Sequence, residues 1–65
     1  MKLQLNGTPI EAQVQTLADL LTAQGYGEAR VATAVNGTFV SAPMRATYSL
    51  NDGDQVEVLA PMQGG

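Results

Sequence analysis

The 65 residues contain neither cysteine nor histidine. Without thiols the chain has no disulfide framework, no thiolate nucleophile and no cysteine-based metal site, and its cysteine count does not indicate a redox compartment. Without imidazole it lacks the usual zinc ligand, the partner of a catalytic serine and the commonest general acid or base near neutral pH. Both absences argue against an independent enzyme. Cations are also scarce: Lys2, Arg30 and Arg45 stand against six acidic residues, for a net charge of -3. Three scattered cations cannot build the phosphate-neutralising patch that nucleic-acid binding requires. No apolar run approaches membrane-spanning length, and no charged segment followed by an apolar one opens the chain as an export signal would. A cytoplasmic location, away from any membrane, is the expectation.

What remains is the composition of a folded domain, with 45% hydrophobic and 14% charged residues, outside the low-apolarity, high-charge range of disordered segments. At this length there is one domain at most, near the lower limit for a self-supporting core, so every element must share that core.

The pattern begins with a strand. Met1, Leu3 and Leu5 alternate with Lys2 and Gln4, as in a strand with one buried face. Asn6-Gly7 is the dipeptide that best accepts the positive φ angles of a type I′ hairpin turn, and alternation resumes at Ile10, Ala12 and Val14. Pro9, lacking an N–H, belongs near the start of the second strand or on its unpaired side. Thr16 is placed to cap a helix from about Leu17 to Gln24, with Leu17, Leu20 and Leu21 on one core-facing stripe. Asp19 sits at the third helical position, where a capping box more often has Glu or Gln, so the box is partial. Gly25 offers a left-handed stop, and Gly27 keeps the next stretch from continuing as helix.

Val31 to Val35, Asn36-Gly37 and Thr38 to Val40 predict a second hairpin. Pro43 and the mixed stretch to Ser49 read as an irregular crossing. Asn51-Asp52-Gly53-Asp54 is a dense turn signal, followed by a last strand through Val56, Glu57, Val58 and Leu59 that ends near Ala60. Hairpin, helix, hairpin, crossover and strand together predict an α+β domain over residues 1–60, a mixed sheet of about five strands with one main helix packed across it, the order of a β-grasp fold.

Beyond the last strand lie Pro61, Met62, Gln63, Gly64 and Gly65, a flexible tether able to extend at most about 17 Å. Two glycines without Cβ atoms make the narrowest peptide, able to enter a slot that any larger residue would block. A carboxylate on such a tether can reach another protein's active site, but a free carboxylate is a poor electrophile and must first be activated, most simply by ATP as an acyl-adenylate. The chain lacks a phosphate-binding loop of the G-x-x-x-x-G-K-[ST] type, so a partner must supply that activation. Attack by a persulfide would then make a sulfur donor, and attack by an amine a protein tag.

Val35-Asn36-Gly37, Asp52-Gly53-Asp54, Val56-Glu57-Val58 and the run Pro61-Met62-Gln63-Gly64-Gly65 together resemble the ThiS family of bacterial thiamine-biosynthesis sulfur carriers, within the MoaD/ThiS superfamily. The resemblance spans essentially the whole chain. It implies a ubiquitin-like fold and adenylation of Gly65 by a ThiF-like adenylyltransferase. It further implies conversion to a thiocarboxylate with sulfur from a cysteine desulfurase, and delivery to a ThiG-like thiazole synthase. On this resemblance the chain itself binds no cofactor, ATP being used by the activating partner, and it is a monomer when free. Gly64, Gln63, Met62 and Pro61 become the tail that enters partner active sites. The segment Ser41-Ala42-Pro43-Met44-Arg45 departs from the more compact Val-Pro-Arg of many relatives. Other readings are a molybdopterin synthase small subunit, a ubiquitin-like modifier with Lys2 as its single lysine, or a binding module with an inert end.

Two further features have ordinary explanations beside functional ones. Asp52 and Asp54 flank a glycine as turn formers do and lack the further spaced oxygen donors of a calcium loop. Leu59 falls opposite Val56 and Val58 if alternation holds, and with Met62 it forms a candidate partner surface. Phe39 could join that surface or fill the core. Tyr26 and Tyr48 take structural roles.

Overall fold

In the computed structural model, residues 1–26 and 30–60 are described. Gly27 and the tail residues Pro61, Met62, Gln63, Gly64 and Gly65 lie outside them. The elements in order are β1 (Lys2–Leu5), β2 (Thr8–Glu11), α1 (Leu17–Ala23), β3 (Ala32–Val35), β4 (Thr38–Val40), a 3-10 helix (Ala42–Thr47) and β5 (Gln55–Leu59). The five strands form one sheet in the order β2-β1-β5-β3-β4. β5, last in sequence, is thus central, parallel to β1 on one side and antiparallel to β3 on the other.

Both Asn-Gly turns form as their sequence predicts. Asn6 and Asn36 each adopt a φ of 51°, with Gly7 at 82° and Gly37 at 84°, a left-handed pair that asparagine and glycine tolerate and branched residues do not. Pro9 pairs with Gln4 in β2, an edge strand, where its missing N–H leaves no central ladder broken. β2 stops at Glu11 although alternation continues to Val14; Ala12 still reaches back to Met1, its N–H donating to the Met1 carbonyl at 2.9 Å and its carbonyl accepting from the Met1 amino group at 2.7 Å.

The helix begins after Thr16 with a complete capping box. The Thr16 hydroxyl accepts from the Asp19 N–H at 3.2 Å, and the Asp19 carboxylate accepts from the Thr16 N–H at 3.3 Å. The shorter Asp therefore closes a box that the sequence suggested was partial. The helix ends at Ala23 with Gln24 as its cap, one residue before the expected end. Leu17, Leu20 and Leu21 are buried beneath it against Leu3, Val35, Val40, Val56 and Val58, and this shared layer is the domain's core.

The stretch from Ala42 to Thr47, expected to be irregular, is a 3-10 helix with Pro43 in its first turn. None of its residues is buried, so it shows no apolar period that a sequence reading could detect. Arg45 ties it to the sheet: its Nε–H donates to Thr33 Oγ1 at 2.9 Å and its Nη2–H to the Val31 carbonyl at 2.6 Å. Val31 accordingly precedes β3 instead of beginning it.

Candidate functional site

Residues 61–65 follow β5 in the sequence, so the site is built around that strand. β1 pairs with β5 only at Gln4 with Gln55 and Leu5 with Val56, then turns away at Asn6. Beyond that point Val58 would face the β1 side with a bare N–H and C=O, at a cost if left unpaired. The Asn6 carboxamide takes their place: its Oδ1 accepts from the Val58 N–H at 2.8 Å and its Nδ2 donates to the Val58 carbonyl at 3.2 Å. A turn side chain thus stands in for the next peptide unit of the ladder.

The second Asn-Gly turn secures the other end of the strand. Asn36 Oδ1 accepts from the Gln55 N–H at 2.9 Å, and its Nδ2 donates to Asp54 Oδ1 at 3.0 Å. Asp54 Oδ2 accepts from the Asn51 N–H at 2.9 Å, and Asp52 Oδ1 from the Lys2 N–H at 2.6 Å. Both aspartates are therefore engaged as turn formers. Apart from the Asn51–Asp54 contact within the turn, these links cross 18 to 52 positions of sequence, beyond the reach of local patterns. The only sequence signal was that each turn opens with asparagine, whose carboxamide can donate and accept together.

The face of β5 away from the helix is open. Leu59 is 63% exposed, whereas Val56 and Val58 are buried, so alternation places Leu59 as expected. Phe39, which the sequence left undecided, is 69% exposed. It pairs across β4 and β3 with Ala34, and Ala34 pairs across to Glu57 of β5, while Ala32 pairs with Leu59. Directly paired residues share a face. Phe39, Ala34, Ala32, Leu59 and the Glu57 carboxylate therefore share one face, on which two small alanines lie between two large apolar side chains and one acidic group sits beside them. Met62, assigned to the same surface from the sequence, lies outside the described residues, as do the remaining tail positions.

Around the end of β5 this surface turns into an open groove of about 560 Å³, lined by Arg30, Val31, Ala32, Ala42, Arg45, Leu59 and Ala60. Another depression, of about 520 Å³, lies at the start of α1 among Met1, Ala12, Gln13, Val14, Gln15 and Asp19, and its carboxylate is already used in the helix cap. Among the described residues no three His, Cys, Asp or Glu side chains gather as a metal site, and no helix is long and apolar enough to cross a membrane.

Taken together, a mixed five-stranded sheet with one main helix across it, and a central last strand that runs out to an exposed end, define a β-grasp domain. A family model of the ThiS family matches residues 3–65, and the chain belongs to that family. Its fold is shared over 100% of both chains with the crystal structure of a thiamine biosynthesis protein (ThiS) from Geobacter metallireducens, at 30% identity and a TM-score of 0.85. The NMR solution structure of a thiamine biosynthesis protein from the same organism agrees at 29% identity and a TM-score of 0.80, over 100% of this chain and 88% of that one. No curated protein sequence matches the chain.

Proposed function

We propose that the protein is a sulfur carrier of thiamine biosynthesis, its sulfur held on the carboxyl group of Gly65 and used to build the thiazole. The observation that carries this reading is the family match running through Gly64-Gly65, on a strand that stops at Leu59 and leaves a short, glycine-ended segment beyond it. The chain supplies the carrier and its partners supply the catalysis. A ThiF-like adenylyltransferase joins the carboxylate to the α-phosphorus of ATP, releasing pyrophosphate. The terminal sulfur of a partner persulfide, itself charged by a cysteine desulfurase, then attacks the carbonyl and expels AMP. A thiol cleaves the resulting acyl disulfide to leave the thiocarboxylate, which donates its sulfur to a ThiG-like thiazole synthase. These steps consume ATP and place the carrier in the cytoplasm.

The apolar face carrying Phe39 and Leu59 is where the partner enzymes rest while Pro61, Met62, Gln63, Gly64 and Gly65 enter the active site. Large side chains without polar atoms suit a surface that is repeatedly bound and released.

Intact-mass analysis tests the chemistry. Incubation with ATP, the matching activating enzyme and a sulfur source is expected to add about 16 Da, the difference between sulfur and oxygen, through covalent activation of the carboxyl group. Deleting Gly65 abolishes the gain and leaves thermal unfolding unchanged. A stable conjugate to another protein's amine in place of the gain would make the chain a modifier and refute the carrier.

A further inference from the structure

We propose that the groove at the end of β5 docks an acidic, partly apolar segment of the partner that activates the tail, with Arg30 and Arg45 receiving its carboxylate. The inference rests on the carrier reading above and adds to it a charged contact distinct from the open apolar face.

The groove is preorganised on one wall. Arg45 is fixed by its two hydrogen bonds, to Thr33 Oγ1 and to the Val31 carbonyl, and Thr33, 2% exposed, is itself anchored by donating to the Val40 carbonyl at 2.8 Å. A guanidinium has five N–H groups, so donors remain for an incoming acceptor. A guanidinium already held in place loses little rotamer freedom when a carboxylate arrives. Arg30 lines the same groove and is exposed. Among the described residues the one ion pair joins the Met1 amino group to Glu11, so neither arginine is neutralised there.

Charge distribution selects the occupant. The chain has a net charge of -3 and three cations, two of which line this groove. The third, Lys2, lies at the other end of the sheet: β1 runs parallel to β5 with Gln4 beside Gln55, so Lys2 sits beyond the start of the strand whose far end is Leu59. Among the described residues two of the three cationic side chains meet here, and an acidic segment is drawn to such a pair within a chain of net negative charge. Val31, Ala32 and Leu59 give the groove an apolar lining, and Leu59 belongs also to the open face, so the two contacts are continuous. Gly65 lies five residues beyond Ala60, a reach of at most about 17 Å. An enzyme that holds the Gly65 carboxyl group must bring its own surface against this groove.

The test measures the affinity of the purified activating enzyme for the full chain and for Arg30→Glu and Lys2→Glu, at low and at raised salt. Arg30→Glu is expected to weaken binding at low salt by about tenfold or more and to flatten its salt dependence, since a charged contact acts through both. Lys2→Glu, the same change of charge at the far end, stays within about twofold of the parent. Arg30→Gln, which removes charge without reversing it, falls between them and serves as the deciding variant if Arg30→Glu lowers the melting temperature. Equal binding by parent and Arg30 variants overturns the proposal. So does tighter binding, which would mean that the chain's own acidic residues occupy the groove. The parent protein is carried through the sulfur-loading assay in parallel: absence of the mass gain there counts against the carrier itself, while a normal gain with unaffected Arg30 variants removes the groove alone.

Discussion

At the residue scale, the two asparagines of the hairpin turns do more than their turn chemistry requires. A type I′ turn needs positive φ, which glycine supplies as well as asparagine. Asn6→Gly therefore leaves the turn geometry available and removes only the carboxamide that completes Val58, isolating that contribution. Two hydrogen bonds at a part-buried position stabilise by about 1 to 2 kcal/mol together, offset in part by solvation of the freed groups. Urea unfolding of Asn6→Gly should show a loss of that size, with amide exchange accelerated at Val58 more than at Val35 in the neighbouring β3. Unchanged stability and exchange would mean that water replaces the carboxamide without cost. The turns themselves were legible because their signal is local: two adjacent residues suffice. The side-chain role was not, because Val58 lies 52 positions from Asn6 and nothing in a local pattern encodes which strand will come to lie beside a turn.

At the scale of elements, strands and helix were legible where burial imposes a period. Leu3 in β1, the leucine stripe of α1, and Val56 and Val58 in β5 all face the same core, and the spacing of these residues follows from that shared constraint. Boundaries were less legible because alternation outlasts pairing: Ala12 is buried although β2 has ended. The 3-10 helix was illegible for the opposite reason, since its residues bury no apolar face and its place is set by polar contacts made at a distance. Arg45 is the chief of these. Arg45→Ala removes two charge-assisted hydrogen bonds from a part-buried side chain and should cost about 2 kcal/mol, since bonds from charged groups are worth more than neutral ones. Thermal unfolding checks the loss. Arg45→Lys restores charge but not the fork that spans Thr33 and Val31, so it should recover little of the stability. Full recovery by lysine would show that charge, not geometry, holds the 3-10 helix.

At the scale of the whole molecule, a chain of 65 residues has one core and must divide its apolar residues between holding the fold and meeting other proteins. The division follows the two faces of the sheet. Leu3, Val35, Val56 and Val58 are spent inward, while Phe39 and Leu59 remain exposed on the outer face. If the outer pair stabilised the domain, replacing either would lower its melting temperature. Because both are more than half exposed, Leu59→Asp and Phe39→Asp should each stay within about 0.5 kcal/mol of the parent, as surface substitutions usually do. Both should nevertheless weaken engagement of the activating enzyme, since a carboxylate placed in an apolar contact must be desolvated without a partner. Phe39 is the more diagnostic of the two, because it lies two strands from β5 and outside the arginine-lined groove. A Phe39→Asp protein that melts normally and binds the enzyme normally would confine recognition to the strand end and its tail, whereas loss of binding without loss of stability assigns the outer sheet face to the partner.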